Sequence, residues 1–320
     1  MVSPEISVRD IRKSFGSVEA VNGVTFEVEP GQVLGLLGPN GAGKTTIINM
    51  LSTLTEMDSG EATIGGYDVG RQPEVVRQLI GLAGQSAAVD EKLTARENLE
   101  LFSRLYKVPR AERRRRIETL IDRFDLGEFA DRPVSTYSGG QRRRLDVVAA
   151  LVAEPSTVFL DEPTTGLDPR SRCELWNTVR SLAAGGTAIV LTTQYLEEAD
   201  QLADEILLID HGRIVAEGTP ASLKRDLRGD VLSIEVDSVL DLDRAQPLIA
   251  AEETISVDVK SLRIEIPISD GPEHSLKLLR TLQDGGVTIA GYQLRQPSLD
   301  EVFLELTGSP SVRDTERITS

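Results

Sequence analysis

Cysteine and aromatic residues are scarce in this chain of 320 residues, which has a single cysteine, Cys173, and only 4% aromatic residues. One cysteine excludes a framework of disulfide bonds and favours a reducing compartment. The N-terminus has no basic and apolar leader, and no apolar run approaches the length that crosses a bilayer. We therefore expect a soluble chain whose membrane role, if it has one, depends on a partner.

Positive charge is also in deficit, because the formal net charge is −16 at pH 7. Broad binding to nucleic acids depends on clustered cations that neutralise phosphates, so this balance disfavours it. We expect no nucleic-acid partner. The length leaves room for a large core and for two domains.

A glycine-rich segment directly follows the apolar run Val33–Leu37, and its Gly-x-x-x-x-Gly-Lys-Thr spacing predicts a phosphate-binding loop between a buried strand and a helix. Glycines let backbone N–H groups point inward, and the helix N-terminus adds partial positive charge. Lys44 is placed to reach the β- and γ-phosphates, and the Thr45 hydroxyl is a natural ligand of Mg²⁺. The alternative is a glycine-rich turn without a ligand. The predicted nucleotide-binding residues are Gly38, Pro39, Asn40, Gly41, Ala42, Gly43, Lys44, Thr45 and Thr46.

Two acidic residues close a second apolar run, Thr157–Leu160. Asp161 should lie at the carboxyl edge of a strand, where open α/β sheets bind ligands, and we expect it to hold Mg²⁺ directly or through water. Glu162 is the candidate general base for the attacking water, or the residue that positions it. The alternative is that both acids are turn residues before Pro163.

The remaining patterns predict an α/β core with additions. Alternating apolar residues near the N-terminus indicate antiparallel strands, and a mainly helical pattern after them predicts a helical subdomain at about residues 86–150. Apolar runs at 157–160 and 187–193 indicate inner strands of a largely parallel sheet. Near Gly229 short strands and helices suggest a second, α+β domain of βαββαβ type. We predict domains at 4–228 and 229–308, with a disordered tail at 309–320.

These motifs give the chain a resemblance to the ATP-binding subunit of an ABC transporter, with a P-loop NTPase core, an antiparallel β subdomain and a helical subdomain. Tyr137–Gln141 resembles the signature motif that separates this family from other P-loop proteins. The resemblance implies that Gln85 belongs to the glutamine loop, with catalytic and Mg²⁺-binding roles, and that Asp168 belongs to the D-loop. It also implies that Phe15 stacks on adenine, although Phe15 could simply pack at a strand end.

Three longer segments resemble the daunorubicin-resistance type of drug exporter, and this likeness extends through the second domain. They are Tyr137–Asp146, Leu191–Asp200 and Pro297–Leu304.

The signature segment has a physical reading that agrees with the family. Ser138 can cap the helix that it opens, and free N–H groups of the next three residues would form a second anion site. The family resemblance implies a head-to-tail dimer, in which this segment of one subunit closes over the γ-phosphate held by the other. The alternative is an ordinary helix cap with a flexible lead. The residues assigned to nucleotide binding here are Ser138, Gly139, Gly140 and Gln141.

Gln194 departs from the family pattern, which usually has a histidine at this strand end that contacts the γ-phosphate and orients the water. A glutamine amide can donate a hydrogen bond to a phosphate oxygen, but it cannot take up a proton at working pH. Neither His211, in a predicted hairpin turn, nor His274, in the second domain, can substitute. We predict retained ATP binding and turnover, with Glu162 rather than Gln194 as the base.

Together these observations predict an ATPase that uses Mg²⁺ and ATP, with Lys44, Gln85, Glu162 and Gln194 in the catalytic set. The resemblance implies a homodimer or paired ATPase subunits that lie at the cytoplasmic face of the plasma membrane, bound to an integral-membrane permease. The permease would export a drug-like or lipid-like amphipathic compound. Two alternatives stay open. One is a soluble ABC-type ATPase, and the other is a nucleotide-dependent regulatory module with weak turnover.

Overall fold

The computed structural model describes residues 3–85, 88–228, 230–250, 255–268, 272–295, 298, 299, 301 and 303. The chain divides into two units, Met1–Glu217 and Gly218–Ser320. Within the described ranges, no helix combines the length and apolar character that a membrane crossing requires.

The first unit contains an antiparallel and a largely parallel sheet. The antiparallel sheet has the order β2-β1-β4-β5, and the other has the order β10-β9-β3-β8-β7-β6, in which β9, β3, β8, β7 and β6 are parallel. The strands are β1 (Ile6–Phe15), β2 (Val18–Val28), β3 (Val33–Leu37), β4 (Ser59–Ile64), β5 (Tyr67–Asp68), β6 (Ile80–Ala83), β7 (Thr157–Asp161), β8 (Ala188–Thr193), β9 (Glu205–Asp210) and β10 (Arg213–Gly218).

Seven helices are described in this unit, and two apolar clusters hold its layers together. One cluster joins the parallel sheet to helices of the segment that we predicted as a helical subdomain, and the other joins the two sheets around the first helix. The helices are α1 (Lys44–Leu51), α2 (Pro73–Leu79), α3 (Ala95–Leu105), α4 (Arg110–Arg123), α5 (Gly139–Ala150), α6 (Pro169–Ala184) and α7 (Leu196–Leu202).

The parallel strands are short and buried on both faces, as their continuous apolar runs indicate. Every residue of β3, β7 and β8 is buried. Their register pairs Leu37 with Thr193 and Asp161 with Thr192, so the carboxyl ends of the three strands meet at one edge. This edge carries the predicted site.

The second unit has the element order βαββαβ among its described residues from 230 onward, as the sequence suggested. Its antiparallel sheet has the order β12-β13-β11-β14 and packs against α9 and α10 through an apolar cluster. The elements of this unit are α8 (Pro220–Arg228), β11 (Asp230–Val236), α9 (Val239–Leu248), β12 (Ser256–Asp258), β13 (Arg263–Ile268), α10 (Pro272–Asp284) and β14 (Ile289–Arg295).

Two details differ from the sequence-based expectation. The units separate at Gly218, where β10 ends, whereas we placed the boundary after residue 228 because the composition changes there; α8 belongs to the second unit. The spacing of three between Leu99, Phe102 and Leu105 in the sequence predicts one buried helix face, yet Leu105 is 65% exposed. A strict spacing of three drifts around a helix of about 3.6 residues per turn, so the last residue of the series turns away from the buried face. The predicted tail at 309–320 lies outside the described residues.

Candidate functional site

The phosphate-binding loop leaves β3 at Leu37 and enters α1 at Lys44. Glycine is required at two positions because the backbone passes close to neighbouring carbonyl groups. A Cβ atom on Gly38 would lie 2.2 Å from the oxygen of Ile209, and one on Gly43 would lie 2.2 Å from the oxygen of Ala20. Gly43 caps α1 with a φ of 107°, a left-handed conformation that glycine adopts without strain. The loop therefore wraps tightly at the helix N-terminus, as an anion site requires.

The Lys44 side chain is buried and lies across its own loop. Its Nζ donates to the carbonyl oxygens of Gly38 at 2.7 Å and Pro39 at 3.0 Å. Burial lowers the pKa of Lys44, and the nearby carboxylates of Glu162 and Asp161 oppose that shift. The ammonium group is therefore held inside the phosphate-binding loop, as its predicted role requires.

Thr45, Asp161 and Gln85 converge beside the loop, although they come from three separate elements. The Thr45 hydroxyl donates to Asp161 Oδ1 at 3.2 Å, and the Gln85 amide donates to Thr45 Oγ1 at 3.5 Å. Hydroxyl, carboxylate and amide oxygens are the hard ligands that Mg²⁺ prefers. The three residues predicted to bind the metal therefore fit a magnesium ion in chemistry and in proximity.

Thr192 fixes the orientation of the acidic pair, a role that the sequence did not reveal. Its hydroxyl is fully buried, donates to Asp161 Oδ1 at 2.5 Å and accepts the N–H of Glu162 at 3.0 Å. That N–H also donates to the carbonyl of Thr192 at 3.1 Å. These bonds hold Glu162 at a φ of 46°, a left-handed conformation that non-glycine residues adopt at an energetic cost.

A pocket of about 400 Å³ opens above the loop. Eight of the predicted site residues line it, among them Lys44, Gln85 and Glu162, so they share one space. The full lining is Ala20, Asn40, Gly41, Gly43, Lys44, Thr45, Thr46, Gln85 and Glu162.

Gln194 and Phe15 lie in the positions that their motifs predict, at the ends of strands. Gln194 directly follows β8 and is half-buried, while Phe15 ends β1 and is 54% exposed. The Lys13 ammonium lies 5.6 Å from the centre of the Phe15 ring. In the part of the chain that the structure describes, neither residue lines the 400 Å³ pocket.

Ser138 caps α5, as predicted, but the cap is reciprocal. Its Oγ accepts the Gln141 N–H at 3.2 Å, and the Gln141 side chain accepts the Ser138 N–H at 3.0 Å. We expected the Gln141 N–H to be free for an anion, and this was wrong because the capping box occupies it. The predicted anion site is reduced to the N–H groups of Gly139 and Gly140.

The signature helix end packs against the first turn of α6, the helix that Asp168 caps. A Cβ atom on Gly140 would lie 2.2 Å from Ser171 Oγ, so this glycine permits a close approach. Asp168 caps α6 by accepting the Ser171 N–H at 3.0 Å and its hydroxyl at 2.6 Å, and these bonds lower the pKa of Asp168. A second pocket, of about 230 Å³, is lined by Gly139 together with Gln85 and Glu162.

Comparison with solved structures agrees with this geometry. An ATP-binding subunit of an ABC transporter is 30% identical, with a TM-score of 0.62, over 69% of this chain and 92% of that one. A dimeric post-hydrolysis structure of the ATP-binding cassette MJ0796 bound to ADP and Pi is 25% identical, with a TM-score of 0.60, over 67% and 98%. The fold and site define the class of ABC-type ATPases.

Sequence comparison places the chain in a narrower family within this class. The ABC transporter family model matches residues 21–165, and the model of the C-terminal domain of DrrA1-3-like ATP-binding proteins matches residues 218–307. Daunorubicin resistance ATP-binding protein DrrA2 of Streptomyces coeruleorubidus is 49% identical over 93% of this chain and 93% of its own length. Daunorubicin/doxorubicin resistance ATP-binding protein DrrA of Streptomyces peucetius is 46% identical over 96% and 93%. The chain belongs to the ABC transporter ATP-binding proteins, and its relatives of this kind include drug-resistance proteins.

Proposed function

We propose that this chain is the ATP-hydrolysing subunit of an ABC exporter and that it powers a separate membrane permease. The observation that carries the proposal is the convergence of Lys44, Thr45, Asp161 and Glu162 at one sheet edge, beside a tight phosphate-binding loop. The exported compound is proposed to be drug-like or lipid-like and amphipathic, and the drug-resistance names of the relatives support the drug-like alternative.

Each residue of the edge has a proposed part in hydrolysis. Lys44 exchanges its carbonyl partners for oxygens of the β- and γ-phosphates, which the loop N–H groups also bind. Thr45, Asp161 and Gln85 would hold Mg²⁺, which when bound neutralises charge that develops on the phosphates. Glu162 accepts the proton of the attacking water or positions that water.

Conversion of Glu162 to glutamine tests this assignment. Glu162→Gln keeps the shape and the backbone bonds to Thr192 but removes the base, so we expect ATP binding near that of the parent and a kcat lower by roughly 10²- to 10⁴-fold. Fluorescent-nucleotide titration and phosphate release measure the two quantities. Glu174→Gln, on the exposed face of α6, is a matched control that should hydrolyse ATP normally. Rapid hydrolysis by Glu162→Gln would refute the assignment.

Gln194 is proposed to orient the γ-phosphate or the water without taking a proton. We expect Gln194→Ala to bind ATP and to lose most of its turnover in the presence of the permease, whereas Gln194→His should retain activity. If Gln194→Ala hydrolyses ATP as fast as the parent under those conditions, the orienting role is wrong.

The ATP site is proposed to be completed by a second subunit. Gly139 and Gly140 of one copy, held by the Ser138 cap and with Asp168 nearby, would close over the γ-phosphate bound by the other, and Phe15 would stack on adenine. The free N–H groups at the start of α5 and the dimeric MJ0796 cassette support this arrangement. The subunits would act as a homodimer or as paired ATPases.

The permease and the cellular location are parts of the same proposal. We propose that the chain acts at the cytoplasmic face of the plasma membrane and is held there by an integral-membrane partner. Co-expression with a candidate multi-spanning permease, followed by membrane fractionation, tests this. We expect the chain in the membrane fraction only when that protein is present, and a drug-efflux assay should require both.

A further inference from the structure

The helix that begins with the signature motif carries a buried arginine, whose guanidinium group reaches three backbone carbonyl groups in two other segments of the site. Arg143 Nε donates to the carbonyl of Pro163 at 2.9 Å, and Nη2 donates to the carbonyl of Asp161 at 3.1 Å. Nη1 donates to the carbonyl of Gly84, the residue before Gln85. One side chain therefore bridges α5, the end of β7 and the start of the glutamine loop.

Asp146, one helical turn later, completes the bridge. Its Oδ2 accepts Arg143 Nη1 at 3.2 Å, and its Oδ1 accepts the N–H of Ala88 at 2.6 Å. Gly84 and Ala88 flank Gln85 on its two sides, so the ion pair holds both sides of the segment that contains this residue.

The pair lies in a protected environment, since Arg143 is 8% and Asp146 3% exposed. Burial lowers the pKa of Arg143 and raises the pKa of Asp146, and their mutual attraction opposes both changes. A buried ion pair is a poor source of stability compared with apolar packing, because both charges lose hydration. A pair kept at this cost and bonded both to the end of β7 and to the two sides of Gln85 points to a positioning role.

The neighbouring arginines of α5 contact other regions. Arg142 pairs with Glu91 at 2.5 Å, and Arg144 donates to the carbonyl of Phe124 at 2.9 Å and pairs with Glu174. Arg144 is a matched control, because it is a largely buried arginine on the same helix and its partners lie outside the metal-binding edge.

We infer that Arg143 and Asp146 are positioning residues that hold Gln85 and Asp161 in register with each other and with the signature end of α5. This inference rests on the proposed function, because it deepens the roles assigned there to Gln85 and Asp161. Supporting groups behind metal ligands tune affinity and activity in the same way in other metal sites.

Conservative substitutions in the full chain test the inference. Arg143→Lys keeps the charge but cannot bond all three carbonyl groups, so we expect kcat to fall by roughly 10- to 100-fold and the Mg²⁺ concentration for half-maximal turnover to rise by about tenfold. Fluorescent-ATP binding measured in EDTA should change by less than about threefold, since the loop contacts are intact. Arg144→Lys should match the parent in Mg²⁺ dependence and kcat.

A second variant separates positioning from stability. The double variant Arg143→Met with Asp146→Leu leaves no unpaired buried charge, but three carbonyls and the Ala88 N–H lose their partners. We therefore expect a melting temperature below that of the parent and above that of either single apolar variant. Its turnover and Mg²⁺ dependence should remain impaired. Parental turnover and Mg²⁺ dependence in this folded double variant, or in Arg143→Lys, would overturn the inference. If Arg143→Lys does not fold, the double variant decides.

The Mg²⁺ dependence of nucleotide binding distinguishes this inference from the proposed function. We expect Mg²⁺ to tighten fluorescent-ATP binding to the parent and to Arg144→Lys, and to tighten it much less in the double variant. If the parent hydrolyses no ATP with its permease, the proposed function fails, and this binding comparison still tests the pair. Equal Mg²⁺ effects in all three proteins contradict the positioning role.

Discussion

Replacement of Thr192 by valine removes one hydroxyl group from the buried end of β8 and keeps the side-chain shape. This hydroxyl joins the two acidic residues, because it donates to Asp161 Oδ1 at 2.5 Å and accepts the Glu162 N–H at 3.0 Å. Asp161 keeps its bond from Thr45 at 3.2 Å, and the Glu162 N–H keeps the Thr192 carbonyl at 3.1 Å. Thr192→Val therefore removes more support from the Asp161 carboxylate than from the backbone of Glu162.

The expected cost follows from these contacts. A hydrogen bond to a charged group contributes about 1.5–3 kcal/mol, and the second lost bond adds little because the N–H keeps a partner. We expect the free energy of unfolding to fall by about 1.5–3 kcal/mol. Loss of the support behind a metal ligand should lower kcat by roughly 10- to 100-fold.

Urea unfolding, phosphate release and fluorescent-ATP titration in EDTA measure stability, turnover and loop binding separately. Nucleotide binding without Mg²⁺ should be unchanged, because the loop does not contact Thr192. Thr178→Val is the control, since this buried hydroxyl donates at 3.1 Å to the carbonyl of Glu174 on its own helix. A folded Thr192→Val protein with parental kcat at every Mg²⁺ concentration would refute the reasoning.

Two further predictions concern the loop and a buried acid. Gly43→Ala should abolish measurable ATP binding because its Cβ would lie 2.2 Å from the Ala20 oxygen. Gly41→Ala meets open space at a φ of 84°, so it should cost only the roughly 1–3 kcal/mol of backbone strain. Nucleotide titration compares the two variants. Burial raises the pKa of Glu198, so its contribution to stability is present at low pH and is lost as pH rises through the folded-state pKa. Glu198→Gln should therefore melt above the parent at about pH 8, and this difference should shrink towards about pH 4. A gain in melting temperature for Glu198→Gln that does not change with pH would contradict the raised pKa of Glu198.

Local patterns allowed much of the fold to be predicted. The apolar run at Val33–Leu37, the glycines after it and the acidic end of Thr157–Asp161 are contiguous in sequence, so their periodicity and spacing predict a strand, a loop and a ligand edge. The βαββαβ order of the second unit followed from the same kind of signal.

Contacts between distant segments could not be predicted in this way. Thr192 orients Asp161 across two paired strands, and Arg143 reaches Gly84 and Pro163 from a helix, so no spacing in the sequence joins them. Arg143 and Asp146 share a helix face at i and i+3, a signal that could have suggested a pair but not its partners. The occupied Gln141 N–H was predictable, because Ser-x-x-Gln is a capping-box pattern.

Light scattering of Glu162→Gln measures the central claim, an ATP site completed by a second copy of the chain. Without nucleotide we expect the mass of one chain, 34.8 kDa, and with MgATP the mass of a dimer, because bound ATP persists when hydrolysis is blocked. Adding Ser138→Arg should keep ATP binding and prevent the dimer, since its bulk covers the start of α5. A protein that binds MgATP at saturation and remains a monomer would contradict the account.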